Sequence, residues 1–292
     1  MKAAWLLGIP FFDAILANPF FRSALLAGLS ASIAGGIVGS YVVCKRIVFI
    51  AGSIAHSILG GMGVALYISR VYSIRWLKPI HGAFVAALLS AVLIGRIRLH
   101  HREREDTVIA ALWAFGMSVG VIFTAMTPGH VAEINHFLFG NILWASRSDI
   151  SLIAGLDLLV LLTAFFCHRR FLALCFDETE ARLQRQPVTT LYCLLLMLIA
   201  VTVVIFVHVA GVILVIAILS LPAAVANTLT HRLSAMMAIA VILSAGAVCI
   251  GLTLSFFLNG PPGATIALVI TVTYLLNLWR SRSGTYISAI AG

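Results

Sequence analysis

Residues 188–207 read VTTLYCLLLMLIAVTVVIFV, a run without a single charge. A helix crossing the hydrocarbon of a bilayer needs about 20 mostly apolar residues. This run meets that length, and so does VIAALWAFGMSVGVIFTAM at 108–126. The composition agrees: 62% of the 292 residues are hydrophobic and 10% are charged. Soluble domains carry nearer to about a quarter charged residues. The chain reads as an integral membrane protein.

Working outward from these two runs, we read nine spans: 22–44, 47–69, 79–96, 108–126, 149–168, 188–208, 211–228, 233–257 and 262–279. The expected fold is an all-α, polytopic membrane helix bundle, one domain over 1–292. The opening MKAAWLLGIPFFDAILANPFF is broken by Pro10 and Asp13, and reads as an interfacial lead-in rather than a signal peptide. Cys44, Cys167, Cys175, Cys193 and Cys249 show no C-x-x-C spacing and read as small buried hydrophobes.

An odd number of spans puts the termini on opposite sides. With the C-terminus in the cytoplasm, 13 of the 19 Lys and Arg residues fall on the inside segments and 6 on the outside. Cytoplasmic loops carry the excess of Lys and Arg. The expected topology is therefore N-terminus out and C-terminus in. The formal charge of +9 reflects these flanking cations rather than a nucleic-acid surface.

Two inside loops differ in kind. RIRLHHREREDT (96–107) is a charged turn. RRFLALCFDETEARLQRQP (169–187) follows its charged pair with an amphipathic stretch. There Phe171, Leu172, Leu174, Phe176 and Leu183 alternate with Asp177, Glu178, Glu180, Arg182 and Arg185. A helix lying at the membrane surface suits it, resting on lipid or docking a soluble partner. A phosphate-binding loop needs a Gly-Lys-Ser/Thr run. Lys2, Lys45 and Lys78 are followed by Ala, Arg and Pro, so ATP-driven work would need another polypeptide.

Small residues mark the first two spans. Gly28, Ser32, Gly36 and Ser40 recur every fourth residue, as do Gly52, His56 and Gly60. Such residues share one helix face and permit close backbone approach in lipid. The short turn at Lys45 and Arg46 suggests that these two spans are antiparallel neighbours. Packing alone explains the glycines. His56 is different, because an ionisable side chain inside a membrane is by default a functional candidate. It is either an imidazole hydrogen-bonded to a neighbouring helix or a site on a translocation path.

Asp157 lies within the fifth span and must be neutralised, paired or turned to water. His81 opens the third span. In TPGHVAEINHFLFGN, His130, Glu133 and His136 recur at i+3 spacings on one face of a helical turn. Imidazole and carboxylate suit Zn(II), Mn(II) or Fe(II). His56, Asp157, His130, Glu133 and His136 are the candidate metal ligands. Pro222, beside Ser220 in the seventh span, should kink or break its helix.

With these motifs in place, the chain resembles the integral membrane permeases of bacterial ABC importers for zinc, manganese and iron. The resemblance rests on NPFFRSALLAGLSASIAGGIVGSYVVCKRIVFIAGSIAHSILGG, FLFGNILWASRSDI, FDETEARLQRQPV and AGVILVIAILSLPAAVA, in that order. It implies a homodimer in the bacterial inner membrane with a central path, and a histidine matching His56 in the motif associated with that path. It also implies an extracytoplasmic metal-binding protein, and a cytoplasmic ATP-binding subunit docked on the coupling segment at 169–187. Phe176, Asp177, Glu178 and Arg182 are the expected contacts there. The chain itself is then not an enzyme, holds no permanent cofactor, and treats the metal ion as cargo.

Three positions depart from the common pattern: Gly52, where many members carry an acid; Asn141, where many zinc permeases carry an aspartate; and Arg185, where a glycine-containing turn is frequent. The alternatives are a permease for an iron-siderophore or cobalamin-like chelate, and an ATP-independent secondary transporter. An intramembrane metalloprotease would need H-E-x-x-H, which is absent from the sequence.

Overall fold

A computed structural model describes residues 19–100, 105–128 and 147–290. The described elements are all helical: α1 (Pro19–Cys44), α2 (Val48–Val71), α3 (Pro79–His100), α4 (Glu105–Met126), α5 (Arg147–Phe176), α6 (Glu178–Leu183), α7 (Val188–Leu229), α8 (Leu233–Leu258) and α9 (Pro262–Ile290). Nine stretches among the described residues are long and apolar enough to cross a membrane, matching the nine expected spans.

Two of those stretches lie in α7. A straight helix of its 42 residues would run about 63 Å, twice the hydrocarbon thickness. Gly211 interrupts it with φ 76° and ψ 164°, a conformation open to glycine and strained for other residues. We call the halves α7a (188–207) and α7b (211–229). Phe206 and Ile218 both pack against Gly35 of α1, although a straight helix would hold them about 18 Å apart. The chain is therefore redirected at Gly211. Pro222 does not break its helix: Gly211 is the one non-helical residue in α7.

The first two spans are not the packed pair that their short connection suggested. Arg46, at φ 61°, turns the chain between them, and each offers its small residues to other helices. In α1, Gly36 meets the backbone of Val241 in α8, and Gly39 meets the carbonyl of Leu219 in α7b. In α2, Gly60 and Gly63 lie against the backbones of Gly116 and Gly120 in α4, while Gly61 lies against Gly82 of α3. Small residues thus do bring backbones together, with partners that periodicity does not name. Ser32 and Ser40 donate to the carbonyls of Gly28 and Gly36 in their own helix, which satisfies their hydroxyls without a ligand.

Helix α5 runs parallel to α1. Ser30 pairs with Asp157, Tyr41 with His168, and Lys45 with the Leu174 carbonyl, so both residue numbers rise together. Its buried face carries Ile153, Asp157, Val160, Ala164, Phe171 and Leu174, at helical spacing. Its other face shows Phe165 and Phe166 to the outside. The periodicity passes through Arg169 and Arg170, so Phe171 and Leu174 are the last turns of α5. They do not belong to a separate surface helix, as the sequence had suggested.

Candidate functional site

His56 sits on α2, half-buried, with its ring stacked on Trp113 of α4. The ring centroids are 4.1 Å apart and the planes differ by 14°. Backbone proximity makes this stack possible. Gly116, one turn beyond Trp113, abuts Ser57, and any side chain there would collide with the Ser57 backbone. Ser53 and Ser57 donate to the Ile109 and Leu112 carbonyls at 3.0 and 3.4 Å, tying the same two helices together. Trp113 also passes position 52, where a Cβ would meet its ring and Ile216 at 3.8 Å. Gly52 is therefore an open position rather than a close helix contact.

Among the described residues His56 has no hydrogen-bond partner. Trp113 was not among the expected site residues. It lies far from His56 in the sequence, and only the tertiary packing brings the rings together.

Asp157 is 4% exposed. Its Oδ2 accepts the hydroxyl proton of Ser30, and its Oδ1 is buried with no partner. It is therefore held in the α1–α5 interface, whereas His56 is held in the α2–α4 interface. Among the described residues no group of three His, Cys, Asp or Glu side chains converges to hold a metal ion. His130, Glu133, His136 and Asn141 lie outside the described residues. His81 accepts from the Lys78 backbone N–H at 3.1 Å and caps the start of α3.

The segment expected to couple, 169–187, is built around α6. Asp177 caps this helix, its carboxylate accepting from the Thr179 and Glu180 N–H groups at 2.7 and 3.1 Å. Those two bonds hold the exposed Asp177 carboxyl below its ordinary range. Glu178 points inward instead. It pairs with Lys45 at 2.5 Å and with Arg98 at 3.3 Å. Lys45 also donates to the Leu174 carbonyl at 2.7 Å, and Arg98 lies 4.3 Å over the Tyr192 ring. Burial pushes the Glu178 carboxyl up, but Lys45 first, then Arg98 and Arg182, outweigh it and hold the group below the usual glutamate value. Ala181 is buried beneath α6, while Phe176, Arg182 and Leu183 are exposed. Arg185 ends the segment at φ 55°, taking the left-handed conformation that glycine favours.

The four expected coupling residues thus divide. Phe176 and Arg182 face outward, Asp177 organises the short helix, and Glu178 anchors it to α1 and α3. The anchor came without a sequence signal: Lys45 and Arg98 look like ordinary topogenic cations until the fold collects them around one carboxylate.

Nine spans, an isolated intramembrane histidine and a short helix clamped at one end define a polytopic permease. The chain belongs to the ABC 3 transport family, whose profile matches residues 17–281. It is the membrane subunit of an ABC transporter. A probable metal transport system membrane protein of Chlamydia muridarum is 43% identical over 265 residues, covering 91% of this chain and 90% of the relative. The manganese transport system membrane protein MntC of Halalkalibacterium halodurans is 29% identical, covering 93% and 90%. The structure of PsaBC from Streptococcus pneumoniae in complex with Fab matches with a TM-score of 0.80 at 26% identity, covering 95% of each chain.

Proposed function

We propose that this chain carries a divalent transition-metal cation (zinc, manganese or iron) into the cytoplasm across the bacterial plasma membrane. Two copies form the path, a separate cytoplasmic ATPase powers it, and an extracytoplasmic binding protein delivers the ion. The observation that carries the reading is His56: a half-buried imidazole within the spans, stacked but not hydrogen-bonded among the described residues. Neutral imidazole is a good ligand for borderline divalent ions. A single protein ligand also releases its ion, whereas a closed four-ligand site would retain it. The names of the relatives support a metal as cargo.

His56 is the first ligand that this reading assigns. Asp157 could contribute only if its orphan oxygen meets the path, and His130, Glu133 and His136 would act at the outer entrance. The coupling surface is the exposed part of 169–187, centred on Phe176 and Arg182, with Glu178 holding it in place. The excess of Lys and Arg puts that surface in the cytoplasm and the N-terminus outside.

The test is the metal content of cells with and without the gene, grown under separate zinc, manganese and iron limitation and read by mass spectrometry. Loss of one of these metals in the deletion strain is the expected result. Equal content of all three, in every medium, would sink the proposal.

A further inference from the structure

We infer that the groove between α3 and α4 holds one acyl chain of an anionic phospholipid, whose headgroup rests at the α2–α3 connection. The groove follows from how glycine places the helices. Gly61 of α2 meets the backbone of Gly82 in α3, and Gly60 and Gly63 meet those of Gly116 and Gly120 in α4. Both α3 and α4 are thus drawn down onto α2, and they hardly touch each other. The space between them has a volume of about 330 Å³. Gly60 and Gly61 form its floor, Leu89 and Leu93 one wall, and Phe115 and Val119 the other. No charged residue lines it. Ser57, also on the floor, gives its hydroxyl to the Ser53 and Leu112 carbonyls, so it asks for no polar ligand. Leu89 is 65% exposed and Phe115 68%, so the groove opens sideways, toward the bilayer.

The dimensions select the occupant. From Gly82 to Leu93 the groove follows α3 for about 16 Å, at 1.5 Å per residue. That is about half of a 30 Å hydrocarbon core, the depth of one leaflet. Over this length the volume amounts to a mean section of about 20 Å². A helix with its side chains is about 10 Å across and is too wide to enter. One extended hydrocarbon chain fits. It supplies the packing that α3 and α4 do not give each other.

The mouth of the groove supplies the headgroup contacts. Lys78 lies one turn before Gly82, and the connection 72–78 carries Arg75 and Lys78, both exposed, with no acidic residue. Lys and Arg at a membrane surface attract anionic lipids. Tyr72 and Trp76 are exposed in the same connection, and such rings collect at the headgroup level. A headgroup with net negative charge matches this end, whereas a zwitterionic one has no net charge to offer.

The purified full-length chain, in detergent, is given phosphatidylglycerol or phosphatidylcholine, and bound lipid is counted by native mass spectrometry. One phosphatidylglycerol per chain should be retained severalfold more tightly than phosphatidylcholine. Arg75→Gln combined with Lys78→Gln should bring it down to the phosphatidylcholine level. Val119→Trp fills the groove and should lose the retained lipid, whereas Leu162→Trp, on the exposed face of α5, should keep it. Phe115→Ala removes one wall without adding bulk and should weaken retention severalfold. Equal retention of the two lipids by the wild type would overturn the headgroup contact. Unaltered retention by Val119→Trp, or by Phe115→Ala where only that variant folds, would overturn the groove. A benzophenone side chain at position 89, irradiated in phosphatidylglycerol nanodiscs, should cross-link to lipid. Cross-linking to a second copy of the chain instead would make the groove a protein interface and overturn the lipid site.

Discussion

At the scale of single residues, two side chains define what can be tested first. Under the proposed function, replacing His56 with alanine removes a ligand, and uptake of the transported metal should fall at least tenfold with expression unchanged. Replacing it with glutamine keeps hydrogen-bonding capacity but gives a poor ligand. That variant should fall equally far, and normal uptake by it would make His56 a structural residue. Arg185 offers a test of backbone strain. A non-glycine residue at φ 55° sits in a sparsely populated region, which costs of order 1–3 kcal/mol in general. Arg185→Gly should therefore raise the thermal unfolding temperature of the purified protein, by an amount worth about 1 kcal/mol. An unchanged or lower unfolding temperature would show that the Arg185 side chain contributes more than its backbone conformation costs.

At the scale of elements, the α2–α4 contact and the α6 clamp make opposite demands. Gly116 has the Ser57 backbone within 2.5 Å of where its Cβ would be, so Gly116→Val must push two helices apart. Overpacking of this kind costs about 1–3 kcal/mol. It should also disturb the His56–Trp113 stack and so lower uptake along with thermal stability. Gly155 has open space around its Cβ position, and Gly155→Val is the matched control that should leave both unchanged. The clamp is electrostatic. Glu178 has its carboxyl held below the ordinary value of 4.5, so the folded state favours the charged form. Its contribution is complete above the unfolded value and is lost as pH falls through the lower folded value. Amide exchange of 178–184 should accordingly be insensitive to protonation of Glu178 above pH 4.5 and rise only below it. Glu178→Gln should show the faster exchange at every pH. If that variant matches the wild type at neutral pH, the ion pairs with Lys45 and Arg98 do not hold α6.

At the scale of the whole molecule, the parallel pairing of α1 with α5 agrees with both being odd-numbered spans. The same alternation collects Lys45, Arg98, Glu178 and Tyr192 at one end of the bundle. The proposed orientation, with this end in the cytoplasm, rests on the charge distribution, 13 cations against 6. A cysteine placed at residue 2 should react with an impermeant reagent added outside the cell. Labelling from the cytoplasmic side alone would reverse the topology and leave the α6 face unable to meet an ATPase.

The sequence by itself determined the number of spans, because hydropathy is a local property and a bilayer demands some 20 apolar residues at each crossing. It also marked His56, because an ionisable group stands out in an apolar run. Tertiary structure alone decided which helices meet. Small-residue faces on α1 and α2 announce a close approach without naming a partner, and each found one beyond its neighbour in the chain. It likewise decided that Glu178 faces inward and that Trp113 stacks on His56. Those facts depend on residues far apart in the sequence, and the periodicity of one helix holds no information about the side chains that another helix will bring against it.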